Sequence, residues 1–156
     1  MDILNKIREL LNSNGVKFRE VHHEPTKTSE ESAKARGEDI SIGGKCLILK
    51  LDDGYKAFVL SAAKKLNSKA ILEKFGVRKS RFATAEELME LTGLVPGSVP
   101  PFGQPILNLD LYVDTSIESN EKIAFNAGSL TDSVIMQVED YLRLAKPTGI
   151  FKFSED

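Results

Sequence analysis

The sequence predicts an α+β fold: a single mixed, largely antiparallel, curled sheet with helices packed around it. Three observations lead there. Helical patterns with matched start and stop residues recur through the first ninety positions. Two apolar runs flanking "DDG" read as a β-hairpin. Beyond a proline-rich stretch the chain turns mainly strand-like. No repeat, low-complexity tract or linker divides the 156 residues, so one domain over 1–156 is expected.

The elements follow in order. Ile3, Leu4, Ile7, Leu10 and Leu11 recur at helical spacing up to Gly15. A short strand, "VKFREVH", comes next. "TSEESAKARG" opens with Thr28 and Glu31 at capping-box spacing and closes on Gly37, which reads as a second helix. "KCLILKL" and "YKAFVLS" form the hairpin. "SKAILEKFG" is a helix ending at Gly76, and "TAEELMELTG" repeats the capping device with Thr84, Glu87 and Gly93. "GLVPGSVPPFGQP" then holds four of the six prolines, a density that excludes helix and central strand. "ILNLDLYVD", "KIAFNA" and "SVIMQV" read as strands, "VEDYLRLA" as a helix before Pro147, and "GIFKF" as a last extended piece.

Composition narrows the function. No apolar run approaches the ~20 residues of a membrane span, and "MDILNKIREL" lacks a signal peptide's pattern. The single Cys46 cannot form an internal disulfide, so a reducing cytoplasm is the expected setting, with no membrane partner. Net charge is −2, but residues 64–81 carry seven Lys and Arg against Glu73 alone. Such a patch can attract a polyanion.

The lysine of "SIGGKCLILKL" is the puzzle. Strand alternation puts Lys45 on one face with Leu47, Leu49 and Leu51, a row that must meet a core. "GGK" is not a nucleotide phosphate loop: position 39 is Asp where that motif needs Gly, and position 46 is Cys where it needs Ser or Thr. His22 and His23 point to opposite faces of a strand and have no partners at metal-ligand spacing. No serine sits in a G-x-S-x-G turn, and Cys46 reads as a small core side chain. No metal or cofactor is expected. Two backbone-rich stretches remain: Gly97 to Pro101, a rigid turn able to present N–H groups, and Phe125 to Ser129, where Gly128 would let a ligand approach the main chain.

Taken together, "HHEPTKTSEESAKARG", "GGKCLILK", "LTGLVPGSVPPFG" and "FNAGS", in that order and spacing, resemble the YbaK/prolyl-tRNA-synthetase-associated family of aminoacyl-tRNA deacylases. The most specific piece carries the family's G-x-x-x-P pattern at Gly97 and Pro101. The resemblance implies that family's fold and the hydrolysis of a mischarged tRNA, proline tRNA bearing a wrong small amino acid such as alanine or cysteine. It implies an essential catalytic role for Lys45. It also implies substrate contacts from Gly97, Ser98, Val99, Pro100 and Pro101 and from Asn126, Ala127, Gly128 and Ser129. The implied partners are the acceptor end of an aminoacyl-tRNA and a prolyl-tRNA synthetase, not DNA. Many relatives carry a tyrosine on the early strand and a threonine after the lysine; here Val21 and Cys46 stand there, which bears on amino-acid preference. Lys64, Lys65 and Lys69 are candidate tRNA contacts. Such an ester is already activated, so a positioned water and charge stabilisation suffice, without a triad. The rivals are a non-catalytic tRNA or synthetase adaptor of the same fold and a small-ligand sensor without tRNA dependence.

Overall fold

The structure, a computed structural model, describes residues 2–26, 28–52 and 54–156. The chain runs α1 (Ile3–Ser13), β1 (Phe18–His22), α2 (Ser29–Arg36), a 3-10 turn (Ile40–Ile42), β2 (Gly44–Leu51), β3 (Gly54–Ser61) and β4 (Lys65–Leu66). It continues through α3 (Ser68–Phe75), β5 (Ser80–Phe82), α4 (Ala85–Thr92), β6 (Leu111–Val113) and α5 (Thr115–Glu118). It ends with β7 (Lys122–Asn126), β8 (Asp132–Gln137), α6 (Val138–Ala145), β9 (Gly149–Ile150) and β10 (Ser154–Glu155).

The fold is α+β, and among the described residues five of seven strand pairings are antiparallel. The strands divide into a five-stranded sheet, order β5-β2-β3-β6-β9, a three-stranded sheet, order β1-β8-β7, and the β10-β4 ribbon. The single sheet expected from the sequence is thus divided, and a parallel bridge between Gly43 and Ala124 links the two larger sheets just before β2. Among the described residues no helix is long and apolar enough to cross a membrane.

The hairpin β2–β3 has the expected register, Leu51 opposite Gly54, while Asp53 of its turn lies outside the described residues. Both faces of the hairpin are covered, which is why its two runs are apolar without interruption. Ile48, Ala57 and Val59 enter the main core with Ile7, Leu11, Phe125, Val134 and Tyr141. Leu49, Leu51, Phe58 and Leu60 face a second core closed by Ile71 of α3 and by Phe153, with Leu47 packed beside them. The leucine row that includes position 45 therefore does meet a core.

The capping devices work as read. The Thr28 hydroxyl accepts from the Glu31 N–H at the start of α2, and Thr84 with Glu87 makes a reciprocal box at α4. The strand expected across "ILNLDLYVD" shrinks to Leu111–Val113, because residues 103–109 close on themselves: the Ile106 and Leu107 N–H groups both donate to the Gly103 carbonyl. Strand β6 also pairs parallel with β3 and β9.

One carboxylate organises the C-terminal segment. Asp114 is fully buried and accepts from the Phe153 N–H at 2.6 Å and the Ser116 N–H at 2.9 Å. Burial would raise its pKa, but these bonds and one from Ser154 outweigh it and hold the carboxyl below its ordinary value.

Candidate active site

Where β2 begins, the structure opens a cavity of about 170 Å³ lined by Gly43 to Leu47, Ala62, Gly97, Val99, Asn126, Thr26 and Thr28, and the α2 residues Ser29, Ser32 and Arg36.

Lys45 enters it from the strand end. Its Nζ donates to the Lys64 carbonyl at 2.7 Å, and burial lowers its pKa while the nearby charge of Glu30 works the other way. By strand parity Lys45 continues the row of Leu47, Leu49 and Leu51 that packs in the second core.

The opposite wall is a turn held by a partner turn. Pro96 and Gly97 (φ +88) sit inside a turn closed by the Ser98 N–H on the Val95 carbonyl, a geometry that places Gly at the position of positive φ. Asn126 Nδ2 donates to the Gly97 carbonyl at 2.7 Å, and the Gly128 N–H donates to the Ser98 carbonyl at 3.0 Å. These two bonds clamp residues 97–98 onto residues 126–128. Among the described residues the N–H groups of Gly97 and Val99 have no intramolecular acceptor, and Val99 is buried. Gly97 is exposed, and both residues line the cavity.

The third wall comes from α2. Ser29, Ser32 and Arg36 at spacings of three and four share one helix face. The Thr26 and Ser32 hydroxyls, both buried, bond each other at 2.7 Å. Arg36 is 8% exposed; its Nε donates to Ser133 Oγ at 2.9 Å and its Nη2 to Asn126 Oδ1 at 3.1 Å. His23 Nε2 meets the same Ser133 hydroxyl at 2.9 Å, while His22 faces outward onto Asp132, so the adjacent histidines diverge as expected.

The family enters on this geometry. The aminoacyl-tRNA editing domain family matches residues 23–144. The chain belongs to that family. Across 144 residues it is 35% identical to the Multifunctional Ser/Thr-tRNA deacylase ProXp-y of Escherichia coli (strain K12), covering 88% of this chain and 85% of the relative. It is 25% identical over 156 residues to the Prolyl-tRNA editing protein ProX of Acetoanaerobium sticklandii, covering 96% and 94%. A solved structure of a proposed trans-editing enzyme for prolyl-tRNA synthetase superposes with a TM-score of 0.83 at 24% identity over 100% of this chain and 99% of that one, which shows a shared fold. The editing family is one of deacylases, hydrolases of aminoacyl-tRNA esters, and this chain is an enzyme of that class.

Within this editing domain the structure brings together Lys45, Gly97, Val99 and Asn126 of the residues expected from sequence. It leaves the others behind the wall. Ser98 is buried with its hydroxyl on the Val95 carbonyl, and the Pro101 carbonyl accepts from Tyr141 at 2.5 Å. Pro100 and Ala127 are buried, and Ser129 bonds Thr131 and Asp132. Gly128 was expected to admit a ligand. Its N–H is already engaged by Ser98, and a Cβ there would come within 2.6 Å of Ile3 on α1. What approaches this glycine is a helix. Gly43 and Gly44 line the cavity, but the space a Cβ would need is occupied by Ala62 and the Ile40 carbonyl for Gly43 and by Ile123 for Gly44.

Cys46 packs against the main core and lines the cavity, and burial pushes its thiol up to about 12. Of the basic stretch, Lys64 borders the site through its carbonyl while its ammonium pairs with Asp156. Lys65 and Lys69 are exposed. Arg81 is occupied by Glu87, and Lys74 lies over the Phe151 ring at 5.4 Å. Sequence reasoning missed the α2 face. Its signal is a helix without an apolar stripe, whose polar inward positions must have something to hold.

Proposed function

We propose that this chain is a trans-editing deacylase that removes a small hydroxylated amino acid, serine or threonine, from a tRNA mischarged with it, with proline tRNA the expected carrier. The observation that carries this reading is the single cavity shared by Lys45, the free N–H groups of the Gly97–Val99 turn, and the hydroxyl-rich wall of Thr26, Ser29 and Ser32. The relative named for Ser/Thr-tRNA deacylation supports the same choice. A site built to hydrogen-bond a hydroxyl rejects the analogue lacking one by up to ~10⁴–10⁵, whereas one methylene discriminates only about 10–200-fold. Hydroxyl-lined walls thus favour serine and threonine over the alanine and cysteine expected from sequence.

In this reading the whole chain is one catalytic domain in the cytoplasm. Lys45 holds a phosphate of the 3′-terminal nucleotide and fixes the ester across the cavity mouth. The Gly97 and Val99 N–H groups hold the carbonyl oxygen as charge develops, and water attacks with help from the free ribose hydroxyl. Lys64, Lys65 and Lys69 extend the cationic border toward the acceptor stem, and a synthetase would deliver the substrate.

The test is deacylation of tRNAs charged with serine, threonine, alanine and cysteine by the natural protein and Lys45→Ala. Turnover of the serine and threonine esters first, lost in Lys45→Ala with an unchanged thermal transition, is the expected result. Full activity of that variant removes the lysine mechanism. Binding without turnover selects the adaptor, and ligand binding indifferent to tRNA selects the sensor.

A further inference from the structure

Arg36 is a buried cation for which the structure provides no counter-charge. Among the described residues no carboxylate lies within salt-bridge distance of it, and its two bonded nitrogens meet only a hydroxyl and an amide oxygen. Its position at the C-terminal end of α2 offers the partial negative charge of the last carbonyls, which offsets part of the cost of burial. Nη1 has no partner among the described residues. No buried side-chain nitrogen or oxygen among them is both sealed from solvent and unpartnered, so Nη1 keeps accessible surface; it lies 3.5 Å from where a Cβ on Gly43 would stand, and Gly43 and Arg36 both line the cavity. Among the described residues, the charged ones in that lining are Arg36 and Lys45, and both are cations.

We propose that Arg36 is a catalytic residue whose Nη1 receives the anionic oxygen formed in the reaction: first the oxyanion of the attacked ester, then the carboxylate of the released amino acid. This rests on the deacylase reading above and deepens it. Water's oxygen forms the new bond to the carbonyl carbon, and the carbonyl π pair moves onto the oxygen that Nη1 shares with the Gly97 and Val99 N–H groups. When that pair returns, the bond to the ribose oxygen breaks. One water proton ends on the departing ribose oxygen and the other passes to solvent as the acid ionises. The oxyanion and then the product carboxylate therefore form beside a guanidinium already in place. Ser133 and Asn126 fix its plane, so little reorganisation accompanies the step. Burial lowers the Arg36 pKa only to about 10, far above neutrality, so the group remains charged where the enzyme works.

The experiment has two arms. In the first, Arg36→Gln and Arg36→Lys are assayed on mischarged tRNA. The glutamine variant should lose about 100–1000-fold in kcat with KM changed less than about threefold, and lysine should recover part of the loss because it keeps the charge. A kcat within threefold of the natural protein, or a loss confined to KM, overturns the proposal. In the second arm, L-serine and L-alanine are titrated calorimetrically into the natural protein against L-serinamide and L-alaninamide, which lack the carboxylate. At least tenfold preference for an acid over its amide is expected, and no preference overturns the proposal. This arm needs no variant, so misfolding of Arg36→Gln cannot shelter it. Carboxylate preference without turnover of any charged tRNA would sink the deacylase reading alone; turnover without either Arg36 effect would sink the Arg36 role alone.

Discussion

Asp114 and Arg36 are both buried charged residues, and their surroundings differ in one respect. Around Asp114 the protein supplies N–H and hydroxyl donors to both carboxylate oxygens, from Ser116, Phe153 and Ser154. Around Arg36 it supplies acceptors for Nε and Nη2 and leaves Nη1 beside a cavity. A buried charge whose hydrogen bonds are all made inside the chain holds the fold. One left incomplete beside a cavity is held ready for something that arrives. The same contrast separates Gly128, whose N–H is engaged by Ser98, from Val99, whose N–H is not.

The comparison breaks if the two charges respond alike to removal. Asp114→Ala should be the most damaging to stability, by about 3 kcal/mol, since it strands buried donors and frees the segment that brings Phe153 into the second core. Chemical denaturation would measure this, and the folded fraction should retain kcat. Next, Gly128→Ala should cost about 1–3 kcal/mol. Its φ of +78 is one that L side chains rarely adopt, and Ile3 fills the space, so α1 and the 97–98 clamp must shift. Here kcat should fall along with stability, because the clamp positions the Gly97 and Val99 N–H groups.

Acid supplies a third test. The folded pKa of Asp114 is depressed, so its contribution is complete above the carboxylate's ordinary range and disappears as pH falls through the folded value. Stability of the natural protein should drop through that window more steeply than that of Asp114→Asn. The smallest effect concerns the rim. Replacing Lys64, Lys65 and Lys69 together by Gln should flatten the salt dependence of tRNA binding and leave deacylation at saturation unchanged; an unaltered slope would mean the patch plays no part.

Much of the fold was legible because its signals are local. Thr28, Thr84, Gly37, Gly76 and Gly93 mark the helix ends they mark in the structure. Strand parity put Lys45 on the leucine face that meets the second core. The residues around "ILNLDLYVD" were misread because alternation of apolar residues also satisfies a chain that folds back on Gly103. In the site, Lys45 and the 97–99 turn were visible through motif resemblance. Gly128 was assigned to a ligand because a glycine requirement does not say which neighbour imposes it.

By itself the sequence determined the capped helices, the two-sided hairpin and the family, since each depends on neighbours a few residues apart or on ordered motifs. Only the tertiary structure decided that Arg36, Ser133 and Asn126, up to 97 positions apart, form one network beside the Lys45 cavity. The physical reason is that burial and hydrogen-bond satisfaction are properties of a side chain's three-dimensional surroundings. An arginine near the end of a polar helix reads as surface until β7 and β8 close over it.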